Sequence, residues 1–263
     1  MKNLKVENHN TIFQEERLEQ IMALLERDSR LVTNDLPAKF NTTSVTIRKD
    51  LIILEKRGLL KRTHGGAIKV NNLYPGQTLP EKEKINLDEK IRIVKQAARL
   101  ISEGDTIILD SGSTTSLLAK EIKFKHGLTV ITNAINIANE LLQSDIEVIL
   151  IGGSLLKETS TLVGPIADDS LQKLSAGKLF IGVDGIDFER GLTTPNLQEA
   201  KTSSVMMEIS SEIILLADSS KFGRRSLGVI SPVKDIDAII TTRKLTDEEQ
   251  RRLSHDGIEV FMV

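Results

Sequence analysis

A small helical domain followed by a larger α/β domain is the architecture that the sequence predicts, and three observations predict it. Residues 1–70 carry 13 Lys and Arg against 9 Asp and Glu, whereas the remaining residues carry 22 against 28. Apolar residues recur at helical spacing in the basic part. After residue 86, helix and strand patterns alternate. We therefore expect an N-terminal domain at residues 1–70, a linker at 71–86 and a second domain at 87–263.

Composition narrows the class of protein. The chain has 263 residues, of which 40% are hydrophobic and 27% charged, an ordinary globular mixture. The absence of Cys excludes a disulfide framework and thiolate metal sites. No apolar run approaches the roughly 20 residues of a membrane span, and the first ten residues lack a signal-peptide core. We expect a cytoplasmic protein without membrane contact.

The basic part begins with the pattern of a compact helical unit. A helix over residues 15–27 places apolar residues on one stripe, namely Leu18, Ile21, Met22 and Leu25. A short β-like piece at residues 31–32 precedes a second helix over residues 34–40. Pro37 is acceptable there, because first-turn amides have no partner within a helix.

A third helix has the features of a DNA-reading helix. Thr43 can cap it, Ile47, Leu51 and Leu54 form its buried stripe, and Gly58 can end it. Its other side carries small, methyl-bearing and cationic residues, which suit bases and phosphates in a major groove. The expected DNA-contacting residues of this helix are Thr43, Ser44, Val45, Thr46, Arg48 and Lys49.

After this helix, two short β-prone pieces at residues 59–63 and 67–70 surround Gly65 and Gly66 and predict a hairpin, or wing. Lys61, Arg62 and His64 would lie along a DNA backbone. The alternative for the third helix is that it is a surface helix with ordinary solvated charges. The strings TIRKDL and LEKRGLLKRTHGGA resemble the signature of the DeoR family of bacterial transcription regulators, which implies a winged helix-turn-helix. Asn41 and Thr42 stand where that family usually has Gly and Val.

The second domain has a Rossmann-like pattern. A helix over residues 87–101 leads to a buried strand at 105–109, and a Gly- and hydroxyl-rich turn then opens another helix. Such a turn presents amides and hydroxyls to an anion, and phosphate is the natural occupant. Neither GxxxxGK[ST] nor GxGxxG is present, so a nucleotide is not favoured. The turn comprises Asp110, Ser111, Gly112, Ser113, Thr114 and Thr115.

Four further strands end in polar or glycine residues. In a parallel sheet these ends share one edge, where ligands of open α/β sheets bind. Each group alone could instead cap a following helix. The expected binding residues at these ends include Thr132, Asn133, Gly152, Gly153, Asp184, Asp187 and Lys221.

The second domain also resembles the effector domain of the DeoR family, through DSGSTT, TNAINIANEL, GVDGID, GLTTPNLQEAK and ADSSKFG. The resemblance is nearest to the aminosugar and tagatose-pathway repressors, and it implies a sheet like that of ribose-5-phosphate isomerase. Asp184 and Asp187 then fall on two acidic positions and Glu199 on the enolisation base. Arg190 replaces a lysine and cannot shuttle a proton, which implies binding without turnover.

These features predict a sequence-specific DNA-binding regulator, a repressor of a sugar-catabolism operon that a phosphorylated sugar releases. The alternative is an active sugar-phosphate isomerase with an appended DNA-binding module. We expect no enzyme activity, no cofactor and no metal. The expected partners are double-stranded operator DNA, the sugar phosphate and further copies of the chain in a dimer or tetramer. The protein would associate with the nucleoid when it is bound to its operator.

Overall fold

The computed structural model describes residues 14–28, 30–56, 60–63, 65–69 and 77–263. The chain divides into two compact units, Met1–Asn72 and Leu73–Val263. We refer to them as the first and the second unit. Among the described helices, none is both long and apolar enough to cross a membrane.

The first unit combines three helices with a three-stranded antiparallel sheet. Strand β3 lies between β1 and β2. The helices cover a core that includes Leu18, Ile21, Ile47 and Leu51, the apolar stripes read from the sequence. Its elements are α1 (Gln14–Asp28), β1 (Arg30–Val32), α2 (Leu36–Lys39), α3 (Ser44–Lys56), β2 (Leu60–Thr63) and β3 (Gly66–Lys69).

Local signals explain where α3 begins. Asn41 adopts a left-handed conformation, with φ of 47°, which Asn tolerates better than most residues. The hydroxyl of Thr43 accepts a hydrogen bond from the Thr46 amide at 3.1 Å, as expected of a cap. Gly66 is required for packing, because a Cβ there would lie 1.8 Å from the Leu31 carbonyl oxygen.

A buried ion pair joins α1 to α3. The Asp50 side chain is fully buried, and its Oδ2 lies 2.6 Å from Nε of Arg17. The second oxygen accepts from Nη2 of the same guanidinium at 3.2 Å. This two-point contact raises the pKa of Arg17, chiefly through the hydrogen bonds from its guanidinium to Asp50. The pair fixes one face of α3 against α1.

The second unit is built on a seven-stranded parallel sheet in the order β15-β14-β12-β9-β4-β5-β6. A second sheet, β10-β11-β13, and the hairpin β7-β8 accompany it. The elements are α4 (Leu79–Lys84), α5 (Leu87–Arg99), β4 (Thr106–Leu109), α6 (Ser113–Ile122), β5 (Thr129–Thr132), α7 (Ile135–Leu141), β6 (Glu147–Leu150), β7 (Ser154–Leu156), β8 (Thr161–Val163), α8 (Pro165–Leu171), β9 (Ala176–Gly182), β10 (Gly185–Asp187), β11 (Gly191–Thr194), α9 (Leu197–Glu208), β12 (Ser210–Ala217), β13 (Gly228–Ser231), β14 (Ala238–Thr241), α10 (Asp247–His255) and β15 (Glu259–Met262).

The parallel sheet is buried on both faces, as its continuous apolar strands predict. In β4, Ile108 packs in one apolar cluster while Ile107 and Leu109 pack in the other, because successive side chains of a strand alternate. Helices α5, α6 and α7 contribute to the second cluster, and α8, α9 and α10 to the first. The Rossmann-like α/β prediction is confirmed.

The stretch 71–86 differs from the expected linker, because α4 occupies Leu79–Lys84 within it. The carboxylate of Glu81 accepts hydrogen bonds from the amide and the hydroxyl of Thr78, both at 2.8 Å. Leu79 is buried, and its amide donates to the Glu158 carbonyl at 3.0 Å. Residues 79–86 are therefore part of the second unit. The domain limits themselves stay a prediction.

Candidate functional site

Helix α3 presents one polar face to solvent. Ile47, Leu51 and Leu54 are buried, as the helical spacing predicted, and Asp50 is buried beside them. The side chains expected to contact DNA lie on the other side: Thr43, Ser44, Val45, Arg48 and Lys49 are exposed, and Thr46 is half-buried. Val45 is 59% exposed, unusual for an apolar residue in a helix that packs on a core. This surface has the composition that base edges and phosphates require.

The hairpin formed by β2 and β3 follows α3. The amide of Arg62 donates to Oε1 of Glu55 at 2.9 Å, and its guanidinium lies 3.8 Å from Oε2 of the same residue. Glu55 therefore ties the start of the hairpin to the end of α3. His64 and the side chain of Lys61 lie outside the described residues.

The second unit contains a polar cleft that is open to solvent. It lies at the carboxyl ends of β4, β9 and β12, the position at which open α/β sheets bind ligands. Its lining comprises Leu79, Lys82, Asp110, Ser111, Gly112, Ser113, Thr114, Thr159, Gly182, Val183, Asp184, Thr194, Glu199, Ser203, Leu216, Lys221 and Ile230.

One wall of the cleft is the turn between β4 and α6. Gly112 adopts φ of 148° and precedes the first residue of α6, so the first-turn amides have no partner within the helix. Asp110 is fully buried, accepting from the Ser111 amide at 2.7 Å and from the Ser203 hydroxyl at 3.0 Å. Burial raises the pKa of Asp110 to about 7. The turn therefore offers hydrogen-bond donors beside a carboxyl group that is partly protonated near pH 7.

Two lysines meet one aspartate across the cleft. Nζ of Lys82 lies 2.7 Å from Oδ1 of Asp184, and Nζ of Lys221 lies 3.9 Å from the same oxygen. Burial lowers the pKa of Lys221, while Asp184 and Asp218 favour its charged form. Asp218 in turn accepts from the Asn86 amide group at 2.8 Å. The charges are thus arranged as a connected network.

Glu199 completes the acidic side. The side chain of Asn196 caps α9 by accepting from the amides of Gln198 and Glu199, at 2.8 and 3.2 Å. Glu199 consequently enters the cleft from the first turn of α9. The Thr194 hydroxyl lies 3.2 Å from Asp184 and 3.5 Å from Glu199. Burial raises the pKa of Glu199.

Several residues expected in the site lie outside the cleft lining. Thr132 is buried and donates to the Leu109 carbonyl at 2.7 Å, and Asn133 donates to the Leu162 carbonyl at 3.1 Å. Asp187 accepts from the amide of Arg190 at 2.9 Å, so it closes a turn, and Arg190 is exposed. The lining also omits Thr115, Gly152 and Gly153. The structure thus brings together Asp110 to Thr114, Asp184, Glu199 and Lys221.

Sequence reasoning missed nine lining residues: Leu79, Lys82, Thr159, Gly182, Val183, Thr194, Ser203, Leu216 and Ile230. A signal for the first two is present in the sequence, because Thr78 and Glu81 have the spacing of a capping box and Pro80 suits a first turn. Thr159 and Thr194 belong to irregular or short β segments without a period. In the ranges that the structure describes, no group of three His, Cys, Asp or Glu could hold a metal ion.

The exposed face of α3 and the cleft of the second unit are the features expected of a protein that joins a nucleic-acid-reading module to a small-molecule sensor. Comparison with family models agrees. A DeoR-like helix-turn-helix domain matches residues 17–72, and a DeoR C terminal sensor domain matches residues 85–243.

Curated relatives match along nearly the full chain. A candidate aga operon transcriptional repressor from Escherichia coli O157:H7 is 37% identical over 94% of this chain and 93% of its own. The regulator GlpR of Haloferax volcanii is 35% identical over 93% and 96%. A lactose phosphotransferase system repressor from Staphylococcus aureus is 33% identical over 93% and 98%.

Among solved structures, ribose 5-phosphate isomerase A from Methanocaldococcus jannaschii is a distant match. Its TM-score is 0.40 at 19% identity, over 52% of this chain and 55% of that chain. The family models and the relatives are decisive: the chain belongs to the DeoR family of transcriptional regulators. It is a DNA-binding regulator and not an enzyme.

Proposed function

We propose that this regulator represses an operon for sugar utilisation in the cytoplasm and leaves its operator when a phosphorylated sugar binds in the cleft. The observation that carries the proposal is the composition of the cleft. A turn rich in glycine and hydroxyl groups, two lysines and three carboxyl groups line one space. The relatives described as aga operon and lactose phosphotransferase system repressors support the sugar class.

The phosphate would lie against the turn formed by Ser111, Gly112, Ser113 and Thr114. Free first-turn amides and the α6 dipole favour an anion there. Lys221 also lines the cleft and would supply a positive charge. Because Lys221 is largely removed from water, its attraction for an anion is stronger than that of a surface lysine.

The hydroxyls of the sugar would meet the carboxyl groups. Asp184 and Glu199 stand 3.2 and 3.5 Å from the same Thr194 hydroxyl, so they bound one end of the cleft. A protonated carboxyl group can donate as well as accept a hydrogen bond. The raised pKa of Asp110 keeps part of this group protonated near pH 7. The set therefore suits a polyol that bears one anionic group.

On the DNA side, α3 would read the operator through Arg48, Lys49 and the methyl groups of Val45 and Thr46. The hairpin would place Arg62 along phosphates, and for Lys61 and His64 the same contact remains the prediction from the sequence. One such module covers few base pairs, so we propose that two or four copies assemble on repeated half-sites.

Operator affinity measured with and without sugar phosphates tests the effector. Pentose and hexose phosphates are first screened by thermal shift on the full chain, because a bound ligand stabilises the fold that binds it. We expect one of them to weaken operator binding about 5–150-fold, the usual range of allosteric coupling. Release by the unphosphorylated sugar alone would refute the phosphate site.

Lys221→Ala tests the site. This variant should bind operator as the parent does but should need a higher sugar phosphate concentration for release, because a cation near the phosphate is lost. The matched control is Lys173→Ala, which removes an exposed lysine from the same unit. Release of Lys221→Ala at the parent's effector concentration would place Lys221 outside the site.

A further inference from the structure

Helix α4 carries the cation that makes the closest contact with the cleft's acidic side. Nζ of Lys82 lies 2.7 Å from one oxygen of Asp184 and 2.9 Å from the other, whereas Lys221 lies 3.9 Å from Asp184. Leu79 of the same helix also lines the cleft. A segment outside the parallel sheet thus supplies both an apolar wall and a charge.

Helix α4 depends on contacts with its surroundings. It has six residues, and a helix of that length is not stable by itself. Its attachments include packing against α6, the Leu79 amide on the Glu158 carbonyl at 3.0 Å and the Lys82–Asp184 pair. Nζ of the buried Lys90 adds a hydrogen bond to the Lys82 carbonyl. The ion pair is therefore one of the contacts that fix this helix, and it is the one that a ligand in the cleft could reach.

A ligand in the cleft would compete with the Lys82–Asp184 ion pair. The turn at residues 111–114 and Lys82 line one cleft, so an anion bound at the turn competes with Asp184 for the lysine. A polyol that hydrogen-bonds to Asp184 competes from the other side. Lys82 would then have two alternative partners, which would give α4 the two arrangements that a switch requires.

The position of α4 in the chain indicates how such a switch would act on the DNA-binding unit. Helix α4 is the first described helix of the second unit, so it is the helix of that unit nearest in sequence to the first unit. A change in α4 would therefore act close in sequence to the DNA-binding unit, with no strand of the parallel sheet between them in the described chain. The first turn of α5 takes part through Lys90.

We propose that Lys82 contacts the effector and that α4 transmits occupancy of the cleft to the DNA-binding unit. This inference rests on the proposed function for the identity of the effector. It adds a residue and a route: an anion or a polyol separates Lys82 from Asp184, α4 loosens, and operator affinity falls.

The test compares three variants of the full chain. Lys82→Ala and Asp184→Asn each remove one partner of the pair, and Lys84→Ala removes an exposed lysine from the same helix as the control. Hydrogen–deuterium exchange at residues 79–84 reports the local stability of α4. We expect exchange to rise on the order of 10-fold in both cleft variants and not in Lys84→Ala.

Operator affinity without any added sugar phosphate is the second measurement. Both cleft variants should bind operator at least about 5-fold more weakly than the parent, the low end of allosteric couplings, and Lys84→Ala should match the parent. If Lys82→Ala behaves as Lys84→Ala in both measurements, the inference is wrong. If α4 loosens but operator affinity does not change, its role in transmission is refuted.

The parent and Lys82→Ala are then titrated with inorganic phosphate and with pentose and hexose phosphates. Loss of the parent's response in Lys82→Ala supports the effector contact, and an equal response in both overturns it. If none of these phosphates affects the parent, the effector of the proposed function is rejected, and with it the effector contact of Lys82. The two measurements without effector still decide whether α4 controls operator affinity.

Discussion

The two sites of this chain hold their charged groups in opposite ways. On α3, Arg48 and Lys49 are exposed on a helix whose other face is buried. In the cleft, Asp110, Asp184 and Glu199 are each less than 10% exposed. A long polyanion can meet charges that remain solvated, whereas a small ligand has to be enclosed by groups removed from water. Substitution of Arg48 or Lys49 should therefore affect binding alone, whereas substitutions in the cleft should affect binding together with stability.

The largest expected effect on stability comes from Asp50, a buried charged residue on α3. Asp50→Ala removes the carboxylate from the buried contact with Arg17, and loss of one partner of a buried pair costs about 3–5 kcal/mol. Its neighbour Lys49→Ala is the control, since an exposed substitution changes stability by about 0.5 kcal/mol at most. Hydrogen exchange of the α1 and α3 amides in the full chain measures both. Equal protection in the two variants would contradict the role of the pair.

Asp50 also shows what the sequence could and could not predict. Its place on the buried side of α3 follows from the spacing of Ile47, Leu51 and Leu54, but its partner is 33 residues away in the chain. Periodicity reports which face of a helix is buried and not what covers it. The exposed side of α3 could therefore be predicted residue by residue, and the ion pair could not.

The second unit shows the same limit at a larger scale. Continuous apolar runs such as residues 107–109 predicted parallel strands, because both faces of this sheet are covered. The strands β7, β8, β10, β11 and β13 have three or four residues each and show no recognisable apolar run among their polar and glycine residues. Lys82 and Asp184 are 102 residues apart, and their contact depends on how α4 packs. The polar residues at the strand ends could be predicted from the sequence, but the side chains that join them could not.

Titration of Asp110 sharpens the comparison in the cleft. Its folded-state pKa is raised to about 7, so the folded chain binds the proton more tightly than the unfolded chain does. Protonated Asp110 therefore stabilises the folded chain. This contribution is complete below the ordinary carboxyl pKa of about 4 and is lost as pH rises towards 7. Asp110→Asn remains neutral and should gain on the parent by up to about 1.4 kcal/mol per pH unit in this window.

Urea denaturation of the parent and of Asp110→Asn from pH 4 to pH 8 measures this difference. Carboxylates outside the cleft, such as Asp105 and Asp187, have lowered pKa values and titrate equally in both proteins, so they cancel. A stability difference that does not change with pH would show that Asp110 is ionised throughout.

Arg48→Ala should weaken operator binding by about 1–3 kcal/mol, the cost of one lost base contact, and should leave the stability of the first unit unchanged. Arg62→Ala should weaken binding to operator and to unrelated DNA alike, and should reduce the salt slope by about one. Footprinting and anisotropy titrations over a range of salt separate the two. Unchanged operator selectivity in Arg48→Ala would remove α3 from base reading.

Thr43 gives the smallest effect and the finest test, because it is expected both to cap α3 and to contact DNA. Its hydroxyl accepts from the Thr46 amide at 3.1 Å, so Thr43→Ala should destabilise α3 by about 1 kcal/mol. Thr43→Ser keeps the hydroxyl and removes only the methyl group. If Thr43 acts only as a cap, Thr43→Ser restores both the protection of α3 and the operator affinity. If the methyl group contacts a thymine, Thr43→Ser restores protection but not affinity, and one exposed side chain then serves both the fold and the reading of DNA.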